Sequence, residues 1–209
     1  MRQLFEKSTV TLALVSFLLM QSCVNLKPRE NDTRFYVLGA AAVAEREAPA
    51  NDGYVLGLRK IKLAEYLDTP HIVLRVGANE VLFSDDHRWG EDLGPAINRV
   101  VAGFLSGSSS VKQVEVVPWT PGVSPTYVVE IQIHKFEGTS PNPAYSRMDA
   151  HLQARWKVLN PATNDVLKQG TTDEVLDGPA LSSYASLVSG LERVLARLAK
   201  DLVAAVDTL

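Results

Sequence analysis

The sequence predicts a single α/β domain, a sandwich with a mixed β-sheet flanked by two main helices. Three observations carry this expectation. Tyr127, Val129, Ile131 and Ile133 alternate with Val128, Glu130, Gln132 and His134, and Leu152, Ala154, Trp156 and Val158 alternate with Gln153, Arg155 and Lys157. That period of two belongs to strands with one face in a core and one wetter face. Two further segments place apolar residues at helical spacing, Leu93 to Leu105 and Tyr184 to Leu202, each as a stripe that needs a sheet or helix to cover it. Shorter β-type runs lie between them, so that two helices interleave with six or seven strands.

Taken in order, the chain opens with Met1 to Lys7, a short basic stretch with one acid, followed by the apolar run Val10 to Met20. The run is long enough for a signal-peptide core and too short for a transmembrane helix. Ser22 and then Cys23, the only cysteine in 209 residues, follow it. The arrangement resembles a bacterial lipoprotein signal, in which a small residue precedes a cysteine whose thiol takes a diacylglycerol and becomes the new amino terminus. The resemblance implies a signal peptide over residues 1–22 and lipidation (diacylglycerol and palmitate-type acyl chains) at Cys23. Two or three acyl chains on one residue make an anchor that a single chain does not. Val24, in place of Asp, points by the sorting rule of such lipoproteins to the outer membrane, facing the periplasm. A plain secretory signal and a buried thiol are the alternatives.

Residues 23–34 then read as the lipidated cysteine and a polar tether, NLKPRENDTR, of which ten extended residues reach about 33–36 Å at most. The single folded domain is expected over residues 35–209. Within it, Phe35 to Gly39 is a short strand and residues 40–53 a loop. Tyr54 to Leu63 forms a second strand, and Tyr66 and Leu67 lie in the bend after it. His71 to Val76 and Val81 to Phe83 flank a Gly77-Ala78-Asn79-Glu80 hairpin turn. Asp85-Asp86-His87 and Arg88-Trp89 read as the approach to the first helix, with Glu91 and Asp92 at its positive end. Asn98 and Arg99 fall on its polar side, and Gly107 ends it. Val114 to Val117 is a strand before a proline-rich loop. The two alternating strands follow, joined by a loop holding Pro141-Asn142-Pro143. Val166 to Val175 adds a strand, and Ser182 to Val206 closes the chain as a helix.

Composition narrows the function classes. Cleavage before Cys23 removes Arg2, Glu6 and Lys7 and leaves 187 residues with 19 basic and 23 acidic side chains, net −4. There is no basic block, so nucleic acid is not an expected partner. No intramolecular disulfide is available, so packing alone must hold the fold. Glycine-rich phosphate loops, paired cysteines, HExxH and GxSxG spacings are all missing, and no cofactor or metal is expected. His134 and His151 sit on the polar parity of strands that pair if adjacent, which makes them at most a weak metal pair. Asp86 and His87 form the one tight acid–base cluster. It carries a hydrolase reading, but an Asp there is also an ordinary helix cap.

The ordered set FYVLG, LAEYLDTPHIVLR (Leu63 to Arg75), HRWGEDL (His87 to Leu93), YVVEIQIHKFEG (Tyr127 to Gly138) and YASLVSGLERVLARLAKDL resembles the PqiC/YmbA-type ABC-transport auxiliary lipoproteins. The resemblance covers nearly the whole mature chain. It implies a role and no reaction: a non-enzymatic lipoprotein anchored to the outer membrane that serves an MCE-type lipid transport system, docking the far end of its tunnel protein or completing the conduit. A conduit role favours a homo-oligomeric ring, since a body of this size with a filled core has little room for a tunnel of its own. Tyr66, Leu67, Arg88, Trp89 and Asn142 are the candidate partner contacts. Trp and Arg are enriched in binding hot spots, and loops carry recognition. Against this, Trp89 reads first as a core residue, and Tyr66 and Leu67 equally read as packing of their bend. A structural lipoprotein of another envelope assembly or secretion complex is the alternative function.

Overall fold

The computed structural model describes residues 32–39, 53–140, 147–176 and 182–209. Cys23, the tether before residue 32 and Asn142 lie outside the described residues. The elements run β1 (Arg34–Tyr36), β2 (Tyr54–Leu58), β3 (Lys62–Leu63), a 3₁₀ turn (Glu65–Leu67), β4 (His71–Arg75), β5 (Val81–Trp89), α1 (Leu93–Ser106), β6 (Val111–Val116), β7 (Tyr127–Thr139), β8 (Asp149–Leu159), β9 (Val166–Leu176) and α2 (Tyr184–Val206). The expected α/β class with a mixed sheet and two main helices is observed, and the strands number nine among the described residues.

The longest strand, β7, organises the sheet. On one side it pairs in succession with β2, β3 and β4, all parallel, and on the other with β8, antiparallel. β9 continues the sheet beyond β8, while β6 flanks β2 and β5 flanks β4. β1 closes that edge, parallel to β5. The expected single strand from Tyr54 to Leu63 is therefore two. The chain steps along β7 between them, with Arg59 N–H on Val129 O at 3.0 Å and Ala64 N–H on Ile133 O at 2.9 Å.

The alternation in β7 and β8 translates directly into packing. Val129 pairs with Val158, Ile131 with Trp156 and Ile133 with Ala154, and all six are buried. Both helices contact each other; α2 lies against β8 and β9 and α1 against β6. Every member of the α2 stripe from Leu187 to Leu202 is buried, and Tyr184 is partly so. Its N-terminus carries a reciprocal cap, Ser183 accepting from Ser186 N–H while the Ser186 hydroxyl serves the cap backbone. Trp156 donates its indole N–H to Thr172 at 3.2 Å, and Thr172 donates to Asp201 of α2 at 2.7 Å. This arrangement needs Gly170, since a Cβ there would lie 2.3 Å from Trp156 Cζ2.

Two further expectations are corrected. Asp85 to Trp89 is not a helix approach but the second half of β5, where Trp89 N–H bonds Pro70 O at 2.7 Å and the strand backbone pairs with β1. Helix α1 starts at Leu93, where its apolar spacing begins, and the side chain of Asp92 before it makes no capping bond. Asn98 is not on a wet face of α1 but buried, its Oδ1 without a partner among the described residues.

Candidate functional site

Three groups of polar side chains emerge from this framework, and the sequence motifs distribute among them unevenly. The first surrounds Tyr66 and Leu67. Leu67 is fully buried beneath the 3₁₀ turn. Tyr66 points back to β7, donating its hydroxyl to Glu137 Oε2 at 2.8 Å and His134 O at 3.0 Å. Glu137 is wholly buried and takes an ion pair from Arg75 Nε, with a second contact from Arg75 Nη2 at 3.3 Å. The Arg75 guanidinium also lies 5.9 Å from the Tyr66 ring centre, within cation–π range. Burial, and then the Glu137 carboxylate, push the Tyr66 phenol up to about 12. The same carboxylate raises Arg75 above its ordinary value. This cluster ties the 3₁₀ turn, β4 and β7 together. Leu63 to Arg75 is therefore a structural signature first, with Tyr66 alone of the pair Tyr66–Leu67 reaching partial exposure.

The second group lies where β1, β5 and α2 meet. His87 accepts or donates at Nδ1 with the Tyr36 hydroxyl at 2.9 Å, and its ring stacks on Tyr184 with centroids 3.8 Å apart. Burial, followed by the charge of Arg34, lowers its pKa, so the imidazole sits neutral between two phenols. Asp86 is exposed on the neighbouring position of the strand. His87 is held through Nδ1 by Tyr36 and across one ring face by Tyr184, contacts that tie β1, β5 and α2 together. Trp89 is buried against Phe136, with ring centroids 6.2 Å apart, and Arg88 is partly exposed beside it, its Nε donating to Asp85 O at 3.2 Å. His134 and His151 do not face each other. A bulge in β7 falls at His134, and His151 pairs in register with Glu137. His151 Nε2 contacts Asp173 at 2.8 Å and holds that carboxyl below its usual range. Among the described residues, no group of three or more His, Cys, Asp or Glu is arranged to hold a metal ion.

The third group is a groove of about 1110 Å³ on the sheet face away from the helices. Its floor follows from register. Lys62 of β3 pairs with Gln132 of β7, Gln132 with Arg155 of β8 and Arg155 with Thr171 of β9. One step along, Glu130, Lys157 and Gln169 make a second row. Arg59 and Lys60, from the step between β2 and β3, complete five cations against one acid. That acid, Glu130, pairs with Arg59, which also reaches Asn164 Oδ1 at 2.6 Å. Lys60, Lys62, Arg155 and Lys157 form no ion pair among the described residues and are exposed.

One wall is the loop from Val117 to Thr126. It closes on β2 because residue 57 is glycine: a Cβ would meet Pro125 Cγ at 2.8 Å and Trp119 Cζ2 at 2.9 Å. Val117 N–H on Leu58 O and Thr126 N–H on Val55 O pin its ends, at 3.1 and 2.7 Å. Glu115, itself buried, fixes the middle by accepting Thr120 N–H at 2.9 Å, and that bond, with others from Thr120 and Gln113, lowers its pKa. Trp119 and the half-exposed Val117 thus present apolar surface beside the cations. In the sequence this site shows as the RKIK run at Arg59 to Lys62 and the basic wet parity of β8, two signals that become one patch once the register joins them.

The sequence of residues 36–203 matches a family described as ABC-type transport auxiliary lipoprotein component. No curated protein matches the chain. Among solved structures, a Xanthomonas campestris protein of the DUF330 family aligns with a TM-score of 0.62 at 17% identity, covering 82% of this chain and 90% of that one. A second crystal structure, of an uncharacterized protein, aligns with a TM-score of 0.63 at 13% identity, covering 81% and 95%. At these identities the structural likeness establishes a shared fold.

Proposed function

The chain belongs to the ABC-type transport auxiliary lipoprotein family, and from that premise we propose that it is a non-enzymatic accessory of an MCE-type lipid transport system, tethered to the periplasmic face of the outer membrane. The family match over residues 36–203 carries the reading. The amino-terminal sequence supports the anchor, with the chain's one cysteine, Cys23, directly after an apolar run and a small residue. Among the described residues no helix is long and apolar enough to cross a membrane, and this reading places the membrane attachment at the lipidated cysteine. Docking to the tunnel protein uses the exposed side of the motif regions, where Tyr66 and Arg88 reach the surface over the buried Leu67 and Trp89, together with the loop around Asn142. A homo-oligomeric ring of this body is the form that completes a conduit.

The test is a crosslinked pull-down of the tagged protein from intact cells, paired with rescue of a deletion strain. Capture of an MCE tunnel protein, and loss of both capture and rescue in Cys23→Ala, are the expected results. Capture of a different envelope assembly with no tunnel protein would overturn the transport assignment. Full rescue by Cys23→Ala would overturn the anchor.

A further inference from the structure

We infer that the groove between β3, β7, β8 and the Val117–Thr126 loop is a binding site for an anionic, phosphate-bearing amphiphile, with the head held by Lys62, Arg155 and Lys157 and the apolar tail lying along Val117 and Trp119. Charge complementarity selects the head. The chain as a whole is acidic, with net charge −3, yet this face gathers five cations around a single acid that Arg59 already neutralises. Lys62 and Arg155 stand two strand spacings apart, about 10 Å, across Gln132. Side chains of that length converge on one anion midway, where the Gln132 amide offers further donors. A guanidinium fork beside compact ammonium groups is the donor set that suits phosphate oxygens.

Size and lining select an amphiphile over a bare ion. A groove of about 1110 Å³ is slightly larger than the roughly 300–1,000 Å³ typical of organic-ligand pockets and far exceeds what an inorganic anion occupies. The Trp119 wall is held in place by Gly57 and Glu115, so the site is largely formed before a ligand arrives. Its indole N–H is buried without an acceptor among the described residues, an unused donor in the wall beside the cations.

The inference deepens the transport reading by naming what this subunit itself touches, and it is tested without the transport partner. The full chain, purified as the cell makes it and held in phosphatidylcholine nanodiscs, is titrated calorimetrically with dihexanoyl phosphatidylglycerol, dihexanoyl phosphatidylcholine, inorganic phosphate and a glutamate-rich peptide, against empty nanodiscs. Phosphatidylglycerol should bind at least tenfold tighter than phosphatidylcholine. The Arg155→Gln/Lys157→Gln double variant, changed only at exposed positions, should lose at least tenfold of that affinity while its circular dichroism and melting temperature stay those of the parent. Equal binding of the two lipids, or a double variant that binds as well as the parent, overturns the inference. Inorganic phosphate binding as tightly as the lipid overturns the amphiphile in favour of a free anion, and a tighter peptide reassigns the groove to an acidic protein segment. Any of these results leaves the pull-down outcome above unaffected, so the two readings fail separately.

Discussion

Replacing Arg75 by methionine should expose how much of this fold depends on one buried charge. Glu137 is fully buried, while the Arg75 side chain keeps 19% of its surface in contact with solvent. The asymmetry decides which partner matters. Methionine fills much of the volume of the arginine stem, so the lost packing is small and the main effect is a carboxylate left in the interior with one phenol as its remaining side-chain donor. Removing one partner of a buried pair costs about 3–5 kcal/mol, because the remaining ion has neither water nor counter-charge. For a domain of this size that is a fall in melting temperature of about 6–20 °C. Glu137→Gln should cost less, about 1–3 kcal/mol, since the amide oxygen still accepts from Tyr66 and the partly exposed guanidinium turns to water. A second substitution separates charge from packing. Arg75→Met combined with Glu137→Gln removes both charges, and by urea unfolding the double variant should be more stable than Arg75→Met alone. A loss below about 1 kcal/mol for Arg75→Met, or a double variant no more stable than the single one, would show that the pair behaves as a surface salt bridge and that the reasoning from burial is wrong.

Two further outcomes follow from the same structure. The Tyr66 phenol, pushed up to about 12, keeps its proton in the folded state while the unfolded chain releases it near 10. Its contribution is fully present below pH 10 and is lost as pH rises from about 10 to 12; Tyr66→Phe should flatten the alkaline arm of the stability curve, and an unchanged arm would contradict the placement of Tyr66 against Glu137. Gly170→Val sets a side chain against the Trp156 indole, whose Cζ2 lies 2.3 Å from the position of the first added carbon. Overpacking of this kind costs about 1–3 kcal/mol, and the displaced indole should change the near-ultraviolet circular dichroism.

The parts of the fold that were legible in the sequence are those where side-chain pattern and burial coincide. β7, β8 and α2 each carry a long stripe whose buried face matches the apolar parity, so period alone identified them. β5 was not legible beyond Phe83 because its second half, Ser84 to Arg88, carries a run of polar side chains. Its strand character comes from backbone bonds to β1 and β4, and no local pattern reports those partners. His87 illustrates the consequence for sites: Asp85-Asp86-His87 looked like an acid–base cluster in a loop, whereas extended geometry sends successive side chains to opposite faces and gives the imidazole to Tyr36 and Tyr184. Tyr66, Arg75 and Glu137 were individually visible, but their meeting spans 71 residues of sequence.

The groove poses a different question, because nothing in the stability of the sheet accounts for its charge. On a solvent-facing sheet, opposite charges directly across strands stabilise by a few tenths to about 1 kcal/mol and like charges close together destabilise. A surface shaped for stability alone would set acids opposite Lys62, Arg155 and Lys157. Instead Lys62 and Arg155 flank an uncharged Gln132, Thr171 follows on β9, and Glu130, although it pairs in register with Lys157, gives its carboxylate to Arg59. The bulge at His134 sharpens the contrast. Before it, Val129, Ile131 and Ile133 face the helices and their polar alternates line the groove; after it the parity shifts, Phe136 and Gly138 are the residues packed on the helix side, and the outward alternate Glu137 is buried and paired with Arg75. The two halves of one strand's outer face thus differ in electrostatic state, one neutralised from within and the other left cationic beside an apolar wall. The repulsion among those cations is small while water and salt screen it, and an anion entering the groove removes it. The unbalanced half is therefore the part of the sheet whose charge is best explained by a ligand.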